Sequence, residues 1–296
     1  MPEGDTVRRT ADRLNRALAG ERLTVVDLRW PSVATAGGDL VGRTTLEVTS
    51  RGKHLLQRLE GGTSLHTHLR MDGVWRVAAT GAEEAGRLGH RPETRAVVGT
   101  ATWTAYGLRL GMVDVLPTRE EVTLVGHLGP DILDLGEDRD EALRRLHAAP
   151  GPIAAALLDQ RNVAGIGTLW ASESLFLEHV HPWARVDPET AARVLDRAHR
   201  LMTAATSHPM QTSTGIRRQA ENTHVHGRSG RPCRRCGDTV RVAAAGPPGR
   251  ERTIFYCPTC QGGLPPHDDG SPQSPLGARR DADVRRRDAD VRRRER

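Results

Sequence analysis

Residues 232–261 read PCRRCGDTVRVAAAGPPGRERTIFYCPTCQ. Cys233, Cys236, Cys257 and Cys260 are the only cysteines in the chain and fall into the pattern C-x2-C-x20-C-x2-C. Two such knuckles joined by about a hairpin's length suit a tetrahedral zinc site built from four cysteines. Four thiolates leave no open coordination position, so one structural Zn2+ is expected. Paired disulfides are the alternative, but they need an oxidising compartment. The start MPEGDTVRRTADRLNR is charged from its third residue and is not a secretory signal, so the chain is expected in the cytoplasm. His224 and His226 in HVHGRSGRPC are read as strand or loop residues, because four cysteines already satisfy the metal. GRERTIFYC should run along the second strand of the hairpin, with Arg250 and Arg252 near its tip. There they could meet phosphates, or simply remain solvated.

The charge around this module agrees with a polyanion partner. Residues 216–256 carry nine arginines against Glu221, Asp238 and Glu251, in a chain whose net charge is +6. The other basic cluster, residues 277–296, sits in a low-complexity tail with a repeated RRDADV unit. Poor in apolar residues, that tail is expected to be disordered from residue 263 and dispensable for chemistry. Of 43 basic residues, Lys53 is the sole lysine. A chain that otherwise uses arginine has here a compact ammonium rather than a planar fork. No apolar run approaches the length that spans a bilayer.

Working back to the start, residues 3–18 place Val7, Ala11, Leu14 and Leu18 at helical spacing, with Gly20 as a plausible C-cap. Pro2 and Glu3 then sit at a helix N-terminus, where the backbone dipole favours anions. From Arg22 to about Val125 the pattern is short strands, with Gly61-Gly62 as a hairpin turn and Glu83–Glu93 as a polar loop. Beyond Pro130 helical periodicity takes over, with Asp187-Pro188 as an N-cap and N1 pair. The fold class expected is α+β, in four parts. These are a β-sandwich with a leading helix (1–126), a helical domain (127–221), a zinc hairpin (222–262) and the tail (263–296).

Two further stretches bear on function. LLDQRNVAGIGTLW sets Gly165 and Gly167 between two helices, where a tight turn could aim free amides at an anion; a plain helical corner is the alternative. In HTHLRMDGVW, Met71 follows Arg70 at the end of a strand. It reads either as a core methionine or as an exposed wedge between stacked bases.

In order along the chain, MPEG, RGKHLL, LLDQRNVAGIG, ASESLF and PCxRCG…YCPTCQ resemble the formamidopyrimidine-DNA glycosylase/endonuclease VIII family, from Pro2 to about Gln261. GVWRVAATG and MPEGDTV are similar to the endonuclease VIII branch and its actinobacterial members. The resemblance implies a helix-two-turn-helix for the helical part and a base-excision-repair glycosylase with abasic-site lyase activity, acting on damaged DNA as a monomer. It implies Pro2, freed of Met1, as the nucleophile on C1′, Glu3 as the acid at the ring oxygen, and Lys53 on a nearby phosphate. Met71 and Arg70 would fill the hole left by the flipped base. Asn162, the Gly165–Gly167 turn, Arg250 and Arg252 would grip the backbone. Oxidised pyrimidines are the implied substrates, with β,δ-elimination the implied cleavage. Two positions depart from the family pattern: Thr6 stands where a second carboxylate is common, and Thr168 where the glycine turn usually ends in asparagine. A zinc protein that binds damaged DNA without chemistry is the rival reading, and an RNA-binding zinc protein a weaker one. A pure binder needs none of Pro2, Glu3 and Lys53.

Overall fold

The computed structural model describes residues 2–266 and 268–273. After α1 (Gly4–Leu18) come β1 (Val25–Leu28), α2 (Gly37–Leu40), β2 (Thr45–Arg51), β3 (His54–Leu59), β4 (Thr63–His68) and β5 (Val74–Ala79). Next are α3 (Glu83–Gly89), β6 (Thr94–Gly99), β7 (Trp103–Leu108), β8 (Met112–Pro117) and α4 (Glu121–Val125). Helices α5 (Arg139–Ala148), α6 (Ile153–Leu158), α7 (Thr168–Leu177) and α8 (Pro188–Thr206) follow, then β9 (Arg241–Ala245), β10 (Arg252–Tyr256) and α9 (Pro258–Gln261).

The β region forms two four-stranded antiparallel sheets, ordered β1-β6-β7-β5 and β2-β3-β4-β8. Their inner faces share one core, in which Leu28, Trp75, Val98 and Ala105 of the first sheet meet Val48, Leu55, Leu65 and Val113 of the second. The periodic stripe of α1 joins it through Val7, Ala11, Leu14 and Leu18. Burying each of those leucines contributes about 1.5–3 kcal/mol. Asn15 fixes the helix to β2 by accepting the Val48 amide at 2.7 Å. Gly20 takes the left-handed conformation (φ 79°) just past the helix and donates to Thr45 O.

The segment expected as a loop from Glu83 to Glu93 is helical over Glu83–Gly89. Its two apolar residues, Ala85 and Leu88, lie three apart and pack against Val97, Tyr106 and Leu108. That is one helical turn, too short to stand out in a polar stretch. The chain divides into two compact units, Met1–Ala142 with Gln160–Ile166 and Met202–Pro209, and Leu143–Asp159 with Gly167–Leu201 and Met210–Arg296. Residues 160–166 join the first unit because they bond along 129–132: Gly129 N donates to Gln160 O, Ala164 N to Pro130 O and Ile132 N to Ala164 O. Residues 202–209 join it because Arg9 donates to the carbonyls of Ala205, His208 and Pro209. That pairing suits a cation at the C-terminus of α8.

In the second unit, Asp187 caps α8 by accepting the Thr190 amide at 2.8 Å. α7, buried from Leu169 to Phe176, presents Phe176 to Val225, Val240 and Phe255 around Cys233 and Cys257. Residues 268–273 depart from the expected tail, for they bond to β9; 274–296, with the RRDADV repeat, lie outside the described residues. No helix among the described residues is long and apolar enough to cross a membrane.

Candidate active site and metal centre

Pro2 and Glu3 lead into α1, with Glu3 as its extended N-cap residue, fully buried. The removal of Met1 lies outside the described residues. Gly4 N–H donates to Gly165 O at 3.0 Å. A Cβ on Gly4 would stand 3.0 Å from Gly165 Cα and 3.2 Å from both Gly165 O and Met202 Cε. Gly165 itself has φ 102°, a conformation that requires glycine. The two glycines thus let the start of the chain lie directly on the 164–166 segment.

This changes the reading of Gly165. Its amide does not project toward an anion but donates to Gln160 Oε1 at 3.0 Å, while Gln160 Nε2 donates to Ile166 O at 2.9 Å. Gln160 closes the turn, and Gly165 serves close approach. Gly167 is the extended N-cap residue of α7 and Thr168 its first residue, so both occupy a helix N-terminus. Asn162 is partly exposed beside the 129 crossing, where its carbonyl lies against Gly129.

Lys53 sits in the two-residue turn between β2 and β3, closed by the Arg51–His54 pair. Gly52 takes φ 58° there, as a hairpin turn of this length demands. The turn is held by Gly52 N–H on Asp131 Oδ2 (2.7 Å) and Arg51 on Gly129 O (2.9 Å). Lys53 Nζ donates to Ile166 O at 2.7 Å. The N-terminal residues and the only lysine are therefore fastened to consecutive residues, 165 and 166. Asp131 was not foreseen: an acid in GPDIL carries no pattern that distinguishes it from a surface residue.

Beside the lysine turn lies a histidine cluster that spacing alone does not reveal, because it crosses three strands. His66 Nδ1 lies 2.9 Å from Asp114 Oδ2, and His66 Nε2 lies 2.9 Å from His54 Nδ1. One imidazole, that of His66, therefore bridges the Asp114 carboxylate and the His54 ring. Burial, reinforced by His66, His68, His127 and Arg70, pushes His54 down to about 3. Burial, then Arg70, His66 and Lys53, pushes His68 down to about 4. Both stay neutral in the fold, whereas an unfolded chain takes up their protons below about pH 6.5. Their stabilisation is complete above that value and is lost as pH falls toward 4. Urea unfolding at pH 5 should give a stability about 2–4 kcal/mol below that at pH 7, and His54→Phe should roughly halve the difference, leaving the share of His68. Equal stability at the two values would contradict the neutral cluster.

Met71 is 67% exposed, which excludes the core reading. Arg70 beside it has φ 52°, and its amide donates to His68 Nδ1 at 2.9 Å. Arg109, also left-handed (φ 49°), pairs with Asp72 at 3.0 Å. Arg109 reaches Asp72 from the β7–β8 turn, a neighbour that spacing along the chain does not reveal.

In the second unit the four cysteine sulfurs lie within 4.8 Å of one another. Cys233 and Cys257 are buried, Cys260 is half-buried and Cys236 is exposed. Four convergent thiols fit a tetrahedral thiophilic metal. Arg250 and Arg252 are exposed, in the turn between β9 and β10 and at its exit. His224 and His226 stay out of the cluster, stacking on Phe176 and lying edge-on to Phe255. Their amides and that of Val225 donate to the fully buried Glu173 at 2.7–2.8 Å. Glu173, in ASESLF, thereby organises the entry to the metal hairpin, a role that needs partners about fifty residues away in sequence.

The formamidopyrimidine-DNA glycosylase N-terminal domain matches residues 1–113, and the H2TH domain of the same glycosylases matches residues 128–216. A Streptomyces coelicolor protein named "probable endonuclease 8 2" is 49% identical, over 91% of this chain and 97% of its own. The DNA-(apurinic or apyrimidinic site) lyase of Mycolicibacterium smegmatis is 40% identical, over 88% of this chain and 99% of its own. Among solved structures, Lactococcus lactis formamidopyrimidine-DNA glycosylase bound to DNA containing an abasic site superposes with TM-score 0.72 at 21% identity, covering 88% of this chain and 99% of that one. The Thermus thermophilus enzyme superposes with TM-score 0.70 at 29% identity, covering 89% and 100%.

Proposed function

Because the chain belongs to the formamidopyrimidine-DNA glycosylase/endonuclease VIII family, we propose that the amine of Pro2 carries out its chemistry on damaged DNA. The chain is a bifunctional DNA glycosylase and abasic-site lyase. The observation that carries the assignment of residues is the fastening of Gly4 to Gly165 and of Lys53 to Ile166. A protein that only bound DNA would have no use for a buried N-terminal carboxyl and a lone lysine on one short segment.

Pro2 nitrogen attacks C1′ of a flipped nucleotide. The C1′–base bond breaks, the base departs with a proton, and Glu3 protonates O4′ as the sugar ring opens. A secondary amine leaves a cationic iminium, which acidifies C2′–H. Loss of that proton expels the 3′ phosphate with its C3′–O electron pair, and a second elimination expels the 5′ phosphate. Lys53 holds a phosphate as negative charge develops. Met71, exposed beside Arg70, enters the space the flipped base vacates. Asn162, Gly167 and Thr168 contact the backbone, the last two with the N-terminus of α7 behind them. Oxidised pyrimidines are the preferred bases. Relatives named endonuclease 8 2 or the lyase are 39–49% identical, against 28–34% for those named formamidopyrimidine-DNA glycosylase and 30% for the Escherichia coli endonuclease 8, and that preference rests on the first group. The test is to add borohydride to the protein with duplex carrying one abasic site and map the adduct by mass. An adduct on Pro2 of a chain lacking Met1 is expected. An adduct on Lys53, or none, would sink the assignment.

Zn2+ is the metal that Cys233, Cys236, Cys257 and Cys260 hold, and it supplies a cross-link rather than chemistry. Cys257→Ser should lower the metal content from one per chain to near zero and weaken duplex binding at least tenfold. Full metal content in that variant would argue against the site.

A further inference from the structure

β9 and β10 form a ribbon of two strands, which is marginal in water by itself. β10 is secured to α7, where Phe255 N–H donates to Ser172 Oγ at 3.1 Å. The outer edge of β9 is met instead by residues 268–273. Val242 N–H donates to Gln273 Oε1 at 2.8 Å, and Gln273 Nε2 donates to Val242 O at 3.0 Å. One side-chain amide thus supplies the rung that a third strand would make.

Next to that rung, Arg241 and Asp268 pair at 2.5 Å with side chains only 7% and 6% exposed. Arg241 Nε also donates to Asp268 Oδ2 (2.9 Å), and Arg241 Nη2 to Ser271 O (2.8 Å). Asp268 further accepts from the Tyr256 hydroxyl at 2.8 Å and the Gly270 amide at 3.0 Å. Tyr256 is the cross-strand partner of Arg241, so one carboxylate grips both strands at the position before Cys257. The guanidinium, aided by these hydrogen bonds, holds the Asp268 carboxyl down at about 2. Removing one member of such a buried pair leaves an uncompensated charge and costs more than the pair contributes.

We propose that residues 268–273 are a clasp, centred on Asp268, that holds the β9–β10 ribbon in register and keeps the metal hairpin assembled. Asp268 is then a positioning residue for Arg250 and Arg252, a consequence that rests on their reading as phosphate contacts. The clasp also divides the expected tail: residues beyond 273 are dispensable for the hairpin, whereas 268–273 are not.

The test uses the full chain, Asp268→Asn, and chains ending after Gln273 and after Gly262. Zinc loss to a chelator, hydrogen exchange at the Val242 amide, and affinity for duplex bearing a tetrahydrofuran abasic analogue are measured. Ending after Gln273 should leave zinc loss and exchange unchanged. Asp268→Asn and the chain ending after Gly262 should lose zinc at least tenfold faster, exchange Val242 faster, and bind duplex at least fivefold more weakly, with cleavage at saturating DNA preserved. Faster zinc loss with unaltered duplex affinity would uphold the clasp and remove Arg250 and Arg252 from the DNA contacts. Zinc retention and exchange equal to the full chain in both impaired forms would overturn the clasp.

Discussion

A chain that retains one uncleaved residue ahead of Pro2 should bind an abasic duplex normally and cut it at least about a thousandfold more slowly. An amide nitrogen cannot form the iminium, so the addition to C1′ has no nucleophile. The capped residue leaves Glu3, Lys53 and the metal hairpin unaltered, which separates loss of chemistry from loss of binding. The measurement is single-turnover strand cleavage beside duplex affinity, with mass spectrometry confirming the cap. Cleavage at the uncapped rate would show that another amine serves, with Lys53 the first candidate. The half-buried position of Pro2 ahead of a fully buried Glu3 suits this division, since the amine must be reachable while the acid is held in place.

Gly4→Ala should lower the rate of cleavage at least about a hundredfold, since misplacing a reacting group by an ångström has that scale of effect. The new methyl would stand 3.0 Å from Gly165 Cα, and the backbone there cannot yield as a flexible side chain would. Stability supplies an independent sign. In a helix, alanine is favoured over glycine by up to about 1 kcal/mol, so without a clash the variant would melt higher. Overpacking of the crossing instead costs about 1–3 kcal/mol. A lower melting temperature with impaired cleavage is the expected pair. A higher melting temperature with unaltered cleavage would remove the crossing as the device that positions Pro2.

The sequence by itself determined the architecture and the chemical types. Strand and helix periods are local properties, so α1, the hairpin through Gly61-Gly62 and α8 were all legible. The cysteine knuckles were legible because tetrahedral coordination constrains spacing, and Pro2, Glu3 and Lys53 stood out by position and rarity. The tertiary structure decided the relations between residues far apart in the chain. Gly165 reads as an anion-binding turn or a plain helical corner until Gln160 is seen on its amide and Gly4 on its carbonyl. Met71 could be core or wedge until its exposure is known. Asp131, Glu173, the His54–His66–Asp114 chain and Asp268 carry no local signature, because a buried polar group is defined by its partners rather than its neighbours in sequence. Periodicity reports which face of an element is apolar. Only the packed chain fixes which polar groups must find one another once water has been excluded.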